Sequence, residues 1–185
     1  MSCRDAFQEA AAAADPCRQL SQNQPGCVCE ADSVSEHSPG VIENTEILAR
    51  LIYSPLHVDP TTGLTTELAF SDVKDKGLSV QRLTHATAAD VHAMGAKKLA
   101  DDHARGKTDR QYLGIVTGAV SQIRAEVYPE SARAFCAYDT AGLDDPAHAD
   151  VCQTPDSPSA MKRARKRLRD LFSHQPRLPG SGLDS

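Results

Sequence analysis

The sequence contains no tryptophan, and aromatic residues make up only 4 % of it. Aromatic rings bury more apolar area than other side chains, so the core of this chain must be mainly aliphatic. Hydrophobic residues account for 40 % of the 185 residues, which is below the share of a typical globular domain. We therefore expect one domain with a modest core and polar ends.

Long hydrophobic runs are also missing. No stretch approaches the ~20 apolar residues that a membrane-spanning helix needs. The charged residues Arg4, Asp5 and Glu9 interrupt any apolar signal segment near the start of the sequence. These features predict a cytoplasmic protein with no membrane partner. In a reducing compartment the six cysteines are expected to be free thiols or metal ligands rather than disulfides.

Three motifs that identify many enzymes are absent from the sequence: a glycine-rich phosphate loop, a nucleophile elbow and a His-Glu-x-x-His zinc helix. Whether the protein is an enzyme is therefore left open. Candidate sites have to be inferred from residue type and position alone.

The apolar pattern divides the chain into three parts. Residues 1–40 form a cysteine-containing leader, which is predicted to be mostly irregular apart from an alanine-rich helix over residues 3–14. Residues 41–173 are predicted to form a compact α+β domain. Residues 174–185 are rich in Pro, Gly and Ser and are predicted to be a disordered tail.

Two helices and one strand are predicted in the first half of the domain. Apolar residues recur at helical spacing over residues 43–53, which predicts a helix. Apolar and polar residues alternate over Gly77–Leu83, which is the pattern of a strand with one solvated face. Thr87 and Asp90 match a capping box that begins a helix ending near Asp102.

The second half of the domain is more strand-like. Strands are predicted over residues 113–116, 123–127, 132–138 and 147–152, and Ser157 with Pro158 begins a last helix. A tight turn joins the second and third of these strands, which favours antiparallel pairing. The expected fold is therefore α+β, with a small antiparallel sheet, helices packed on one face and flexible ends.

The leader contains a candidate metal site. Cys17, Cys27 and Cys29 lie within thirteen residues, and either His37 or Cys3 could complete a tetrahedral zinc site. A metal would order a segment that buries little apolar area. An iron–sulfur centre, a redox pair and thiols without a special role are the alternatives, because Cys-x-Cys fits the usual zinc knuckle poorly.

A second candidate site consists of polar residues at predicted strand ends. His57, Arg82 and His148 could converge on one cleft, where Arg82 would hold an anion and the histidines would move protons. This set predicts a small enzyme acting on a phosphorylated or nucleotide substrate. The alternative for Arg82 is an ion pair with a structural carboxylate, and the alternative for each histidine is a hydrogen bond within a turn.

The third candidate is a contact surface on the last helix. The chain has a formal charge of −5, yet six of the eight residues from Lys162 to Arg169 are basic. This separation of charge predicts an accessory or interaction protein of a bacterial multi-component system, which contacts nucleic acid or an acidic protein partner. A solvated helix face and an immunity or antitoxin-like protein are the alternatives. The basic residues are Lys162, Arg163, Arg165, Lys166, Arg167 and Arg169.

Four segments resemble a group of small bacterial proteins whose function is uncharacterised. The resemblance covers residues 41–172, leaves out the leader, and implies a bacterial origin and one compact domain. It implies no activity, cofactor or catalytic residue. The segments are Ser54-Pro55-Leu56-His57, Leu68-Ala69-Phe70, Leu78-Ser79-Val80-Gln81-Arg82 and Asp145-Pro146-Ala147-His148-Ala149.

Overall fold

The computed structural model of the protein describes residues 1–33, 35–128, 133–154 and 157–179. The chain forms five strands and five α-helices in the described part, together with two 3₁₀ helices, Pro25–Ala31 and Glu67–Lys74. The strands are β1 (Ile47–Ser54), β2 (Leu78–Arg82), β3 (Gln111–Ala119), β4 (Phe135–Asp139) and β5 (His148–Gln153). The helices are α1 (Cys3–Ala11), α2 (Pro16–Asn23), α3 (Ala88–Ala104), α4 (Val120–Ala125) and α5 (Pro158–Leu171).

The strands form one antiparallel sheet in the order β3-β1-β2-β5-β4. The predicted α+β class with a small antiparallel sheet is therefore confirmed. The helix predicted over residues 43–53 was wrong, because most of this segment is strand β1. Leu48 packs on one face of the sheet and Ala49 on the other. A strand that is apolar on both faces loses the alternation that would distinguish it from a helix.

One face of the sheet carries the main core. Leu48, Val80 and Val151 point to this face, where they pack against the 3₁₀ helix Glu67–Lys74 and against α4 and α5. The rings of Phe70 and Phe172 lie with their centroids 5.1 Å apart. This core is mainly aliphatic, as the composition predicts.

Helices also cover the two ends of the opposite face. Helix α3 packs through Val91 onto Ala49 and Ile115 of β1 and β3. The leader packs onto β4 and β5, where Phe7 meets Tyr138 edge to face at 5.1 Å. The prediction of helices on one face alone is corrected by these contacts. Strand β2 lies between the two covered ends, and this gap is where the candidate site lies.

Three disulfides attach the leader to the sheet and to itself. Cys17 is bonded to Cys152 of β5, Cys27 to Cys136 of β4, and Cys3 to Cys29 within the leader. Residues 15–31 therefore form helices on the sheet rather than the irregular segment that we predicted. Cross-links over long loops reduce the entropy of the unfolded chain, which compensates for the small apolar area of the leader.

The helix caps agree with the sequence. The Asp90 N–H donates to Thr87 Oγ1 at 3.2 Å, and the Thr87 N–H donates to Asp90 Oδ2 at 3.0 Å, so α3 begins with the predicted capping box. Ser157 accepts a hydrogen bond from the Ala160 N–H at 3.4 Å at the start of α5. Because both caps depend on local sequence, they could be identified without tertiary information.

Two other local predictions differ from the structure. The strand predicted over residues 123–127 is replaced by helix α4, whose Val120 and Ile123 reach the core at helical spacing. The tail is ordered as far as it is described: Arg177 and Ile115 exchange backbone hydrogen bonds of 2.8 and 3.1 Å along β3. The rest of the predicted tail, residues 180–185, lies outside the described residues.

No helix in the described part of the chain is long and apolar enough to cross a bilayer.

Candidate functional site

The candidate site is a cleft of about 450 Å³ beside β2. Strands β1 and β2 pair at two positions, Leu48 with Arg82 and Ala49 with Gln81, and then separate. The guanidinium of Arg50 bridges the gap between them. It donates to the carbonyl oxygens of Ala69 and Ser79 at 3.2 and 2.9 Å, and to Asp72 at 3.2 Å. This separation of the strands opens the sheet locally and creates the cleft.

His57 lines the cleft in a defined neutral form. Its Nδ1 accepts a hydrogen bond from the Tyr53 N–H at 3.2 Å, so the single proton of the neutral ring is on Nε2. Burial, followed by the positive charges of Arg50 and Arg110, lowers the pKa of His57 to about 4. At neutral pH this ring is therefore a hydrogen-bond donor with no charge.

Two further cations line the cleft. Arg110 lies over the ring of Tyr53, with 4.6 Å between its Cζ and the ring centroid, and it pairs with Asp102. Lys98, on α3, makes no hydrogen bond or ion pair with any residue that the structure describes. Desolvation and the charges of Arg50 and Arg110 lower the pKa of Lys98 below its ordinary value. Lys98 therefore lies in the field of Arg50 and Arg110 and, to a smaller extent, of Asp102 and Asp72, and it forms no ion pair within the described residues.

Hydrogen-bond acceptors line another part of the cleft. Gln81 is 5 % exposed, and its Nε2 donates to Asp145 Oδ2 at 2.9 Å. Its Oε1 is buried and has no hydrogen-bond partner among the described residues. An amide oxygen in this situation is uncommon, because buried polar atoms are nearly always paired.

His148 lies beside Gln81 on the next strand. Its Nδ1 is 2.9 Å from Thr140 Oγ1, and the Thr140 hydroxyl donates to Asp150 Oδ2 at 2.9 Å. Because the Thr140 proton is directed at Asp150, Thr140 Oγ1 accepts from His148 Nδ1–H. In the neutral ring this leaves Nε2 of His148 as an acceptor. In their neutral forms the two histidines of the cleft thus have opposite tautomers.

The two sets of groups are separated along the strands. Ala49 pairs with Gln81, whereas Tyr53, which contacts His57 and Arg110, is four residues further along β1. At the rise of an extended strand this is about 13 Å. The cleft therefore offers Arg110 and the N–H donor of His57 near Tyr53, Arg50 between the strands, and acceptors near Gln81.

The structure brings together two of the three residues predicted to share a site. His57 and His148 line the cleft, but Arg82 is 1 % exposed and does not. Its Nε and Nη2 donate to the two carboxylate oxygens of Glu46 at 2.9 and 2.7 Å. The role of Arg82 in holding a substrate is corrected accordingly, and the alternative of a structural ion pair is the one observed.

The predicted metal ligands are also placed differently. Cys17, Cys27 and Cys29 are all in disulfides, so none has a thiolate to offer zinc. His37 contacts Glu36 at 3.6 Å instead. Within the described ranges, no group of three His, Cys, Asp or Glu side chains could hold a metal ion. We therefore do not retain the zinc site.

The basic helix α5 directs most of its arginines at the protein itself. Arg165 pairs with Glu67 at 3.4 Å and Arg167 with Glu126 at 2.8 Å, while Arg169 donates to the Thr65 carbonyl at 3.1 Å. Arg163 lies over Tyr128, with 4.8 Å between its Cζ and the ring centroid. Lys162 and Lys166 are exposed and make no such contact within the described residues. Glu67 and Glu126 of the body thus pair with two of the six basic residues of α5.

Sequence reasoning missed four residues of the cleft: Arg50, Gln81, Lys98 and Arg110. Arg50 could have been identified from the sequence, because it is a charged residue inside the apolar stretch of β1 and must find partners when it is buried. No sequence pattern identified the other three residues, since their positions in one cleft depend on how β1, β2 and α3 pack together.

Comparison of the sequence with protein-family models and with curated proteins, and of the fold with solved structures, found no match. The resemblance to small bacterial proteins therefore stays a prediction, and the function has to be inferred from the geometry of the cleft.

Proposed function

We propose that the protein binds a small phosphorylated molecule in the cleft beside β2. The observation that carries this proposal is the unpaired Lys98, which lies in the same cleft as Arg50, Arg110 and the N–H of neutral His57. Phosphate oxygens are bound in proteins by such cations and N–H donors. This is the phosphorylated-substrate alternative from the sequence, with Arg50, Lys98 and Arg110 in place of Arg82.

The size of the cleft favours a metabolite over a macromolecule. About 450 Å³ lies within the range of roughly 300–1,000 Å³ for small-molecule sites. A nucleic-acid partner would need an extended basic surface, whereas each of the four arginines of α5 contacts a residue of the protein itself. Contact with nucleic acid or an acidic protein through α5 remains a prediction that rests on Lys162 and Lys166. The immunity-protein alternative gains no support from the cleft.

An enzyme would use the two histidines differently. His148 has the free Nε2 lone pair that a proton acceptor needs. His57, with a pKa of about 4, would donate a hydrogen bond to an oxygen of the substrate rather than transfer a proton near neutral pH. We propose ligand binding as the function and proton transfer by His148 as the step that a catalytic role would add.

The disulfides indicate the kind of cellular compartment in which the protein functions. Three disulfides, two of which attach the leader to the sheet, are typical of proteins in oxidising compartments and rare in the cytoplasm. We therefore replace the cytoplasmic prediction with the proposal that the protein functions in an oxidising compartment. Thiol quantification on the denatured, unreduced protein tests this proposal: purified from its native host, the protein should have no free thiol.

Calorimetric titration with n-hexyl phosphate at low salt tests the binding site. Lys98→Ala should weaken binding about fivefold, equivalent to about 1 kcal/mol for a partly solvated charge pair. Its neighbour provides a matched control: Lys97 is on the same helix, is 79 % exposed and pairs with Asp101 at 3.2 Å. Lys97→Ala should change the affinity less than twofold.

Two results would contradict the proposal. One is the absence of binding to the wild-type protein at millimolar concentrations of n-hexyl phosphate. The other is an equal effect of the two lysine substitutions on affinity, because only Lys98 lines the cleft. Circular dichroism of each variant verifies that the fold is intact.

A further inference from the structure

We infer that the phosphorylated ligand of this cleft also carries hydroxyl or amine groups several bonds away from its phosphate, and that Gln81 Oε1 and His148 Nε2 accept hydrogen bonds from them. This inference rests on the proposed function and adds the class of ligand: a phosphate ester of a polyol or an amino alcohol.

Gln81 supplies the first acceptor. Its side chain cannot satisfy Oε1 by rotating the amide, because Nε2 already donates to the Asp145 carboxylate at 2.9 Å. A flipped amide would place two oxygens against each other. Gln81 lines the cleft, and its Oε1 is shielded from solvent and has no donor in the described residues. A ligand donor that packs against this side chain would satisfy the oxygen.

His148 supplies the second acceptor. Its Nδ1 lies 2.9 Å from Thr140 Oγ1 and 3.3 Å from the Thr140 carbonyl oxygen, so in the neutral ring Nε2 is the nitrogen that accepts a hydrogen bond. Gln81 and His148 are directly paired across β2 and β5, so their side chains leave the same face of the sheet about 5 Å apart at Cβ. Two acceptors at this spacing suit neighbouring hydroxyl groups or one amine.

The acceptors and the cations bind different parts of one molecule. Lys98, His57 and Arg110 can hold a phosphate, whereas Gln81, His148 and Asp145 would repel it because they present lone pairs or negative charge. The strand spacing puts Gln81 about 13 Å from the level of Tyr53. A six-carbon chain between phosphate and donor is long enough to reach across much of that distance.

Three probes with the same six-carbon chain test the inference on the wild-type protein. They are n-hexyl phosphate, which has no donor on its chain, sorbitol 6-phosphate, which has hydroxyl groups, and 6-aminohexyl phosphate, which has one amine. We expect one of the two donor-bearing probes to bind at least tenfold more tightly than n-hexyl phosphate. The probe that does so identifies the hydroxyl or the amine as the group recognised.

Gln81→Met keeps the length of the side chain and removes the acceptor. This substitution should abolish the advantage of the donor-bearing probe, so that its affinity and that of n-hexyl phosphate agree within twofold in the variant. Ser79→Ala is the matched control, since Ser79 lies two residues away on the same face of β2 and has other partners in Arg50 and Asp150. It should preserve the advantage.

The outcomes separate the two proposals. If all three probes bind with equal affinity and Lys98→Ala weakens each of them, the inference is wrong and the phosphate site stands. If n-hexyl phosphate does not bind at millimolar concentrations, the proposed function fails together with the inference. The comparison of probes on the wild-type chain requires no variant, so a Gln81→Met protein that fails to fold would not prevent the test.

Discussion

Replacing Arg82 tests the structural role that the fold assigns to it. The guanidinium is 1 % exposed and donates to both carboxylate oxygens of Glu46, and to the carbonyl oxygens of Gly40 and Val41 at 2.7 and 3.1 Å. Arg82→Met would leave the buried Glu46 carboxylate without its cation, and would also remove the cation 3.7 Å from Asp139. Breaking a buried pair in this way costs about 3–5 kcal/mol.

Urea unfolding followed by far-ultraviolet circular dichroism measures this cost, with the disulfides left intact. At a slope of about 2 kcal/mol per M, the midpoint for Arg82→Met should fall by about 2 M. The double variant Glu46→Gln with Arg82→Met should recover about half of the loss, since no buried charge remains at position 46. A shift below about 0.5 M in the single variant would refute the reasoning.

The pH dependence follows from the same pair. Burial raises the pKa of Glu46, but hydrogen bonds from Arg82 and from the Glu43 N–H outweigh it, and the pKa lies below its ordinary value. A depressed carboxyl pKa stabilises the fold above the unfolded value of about 4.3, and this contribution is lost as the pH falls through the folded pKa. The penalty of Arg82→Met should therefore be larger at pH 7 than at pH 4.

Two further predictions concern the leader and the cleft. Replacing both Cys17 and Cys152 by alanine should lower the free energy of unfolding by about 3–4 kcal/mol, because with Cys27–Cys136 intact that disulfide closes a loop of roughly 26 residues. Urea unfolding measures the loss, and a change below about 1 kcal/mol would contradict the tethering role. The ring of His57 should stay neutral, with its proton on Nε2, down to about pH 5, consistent with a pKa of about 4. Nitrogen-15 chemical shifts of the ring measure this state, and protonation above pH 6 would contradict the burial seen here.

Elements determined by local chemistry could be predicted from the sequence. The alternation in Gly77–Leu83 predicted β2, and the caps at Thr87 and Ser157 marked the starts of α3 and α5. Strand β1 could not be recognised, because its side chains are apolar on both faces and their spacing also fits a helix. Local patterns thus predicted the elements that have alternating residues or a cap, and failed for a strand that is apolar on both faces.

The disulfides and the cleft depend on information that a single sequence does not contain. Six cysteines allow 15 pairings. Because we expected a reducing compartment, we predicted free thiols or metal ligands and none of these pairings. The cleft forms because β1 and β2 separate beyond the Ala49–Gln81 pair, which depends on tertiary packing. His57 and His148 could still be selected as polar residues at strand ends, and both line the cleft.

Chemical-shift mapping of the nitrogen-15-labelled protein during titration with n-hexyl phosphate tests the central claim most directly. The account predicts that the backbone signals of Lys98, His57 and Ser79, which surround the cleft, shift together and saturate with one dissociation constant. Shifts confined to Lys162 and Lys166 on α5 would contradict it, because they would indicate that the anion binds to the exposed basic helix and not between the strands.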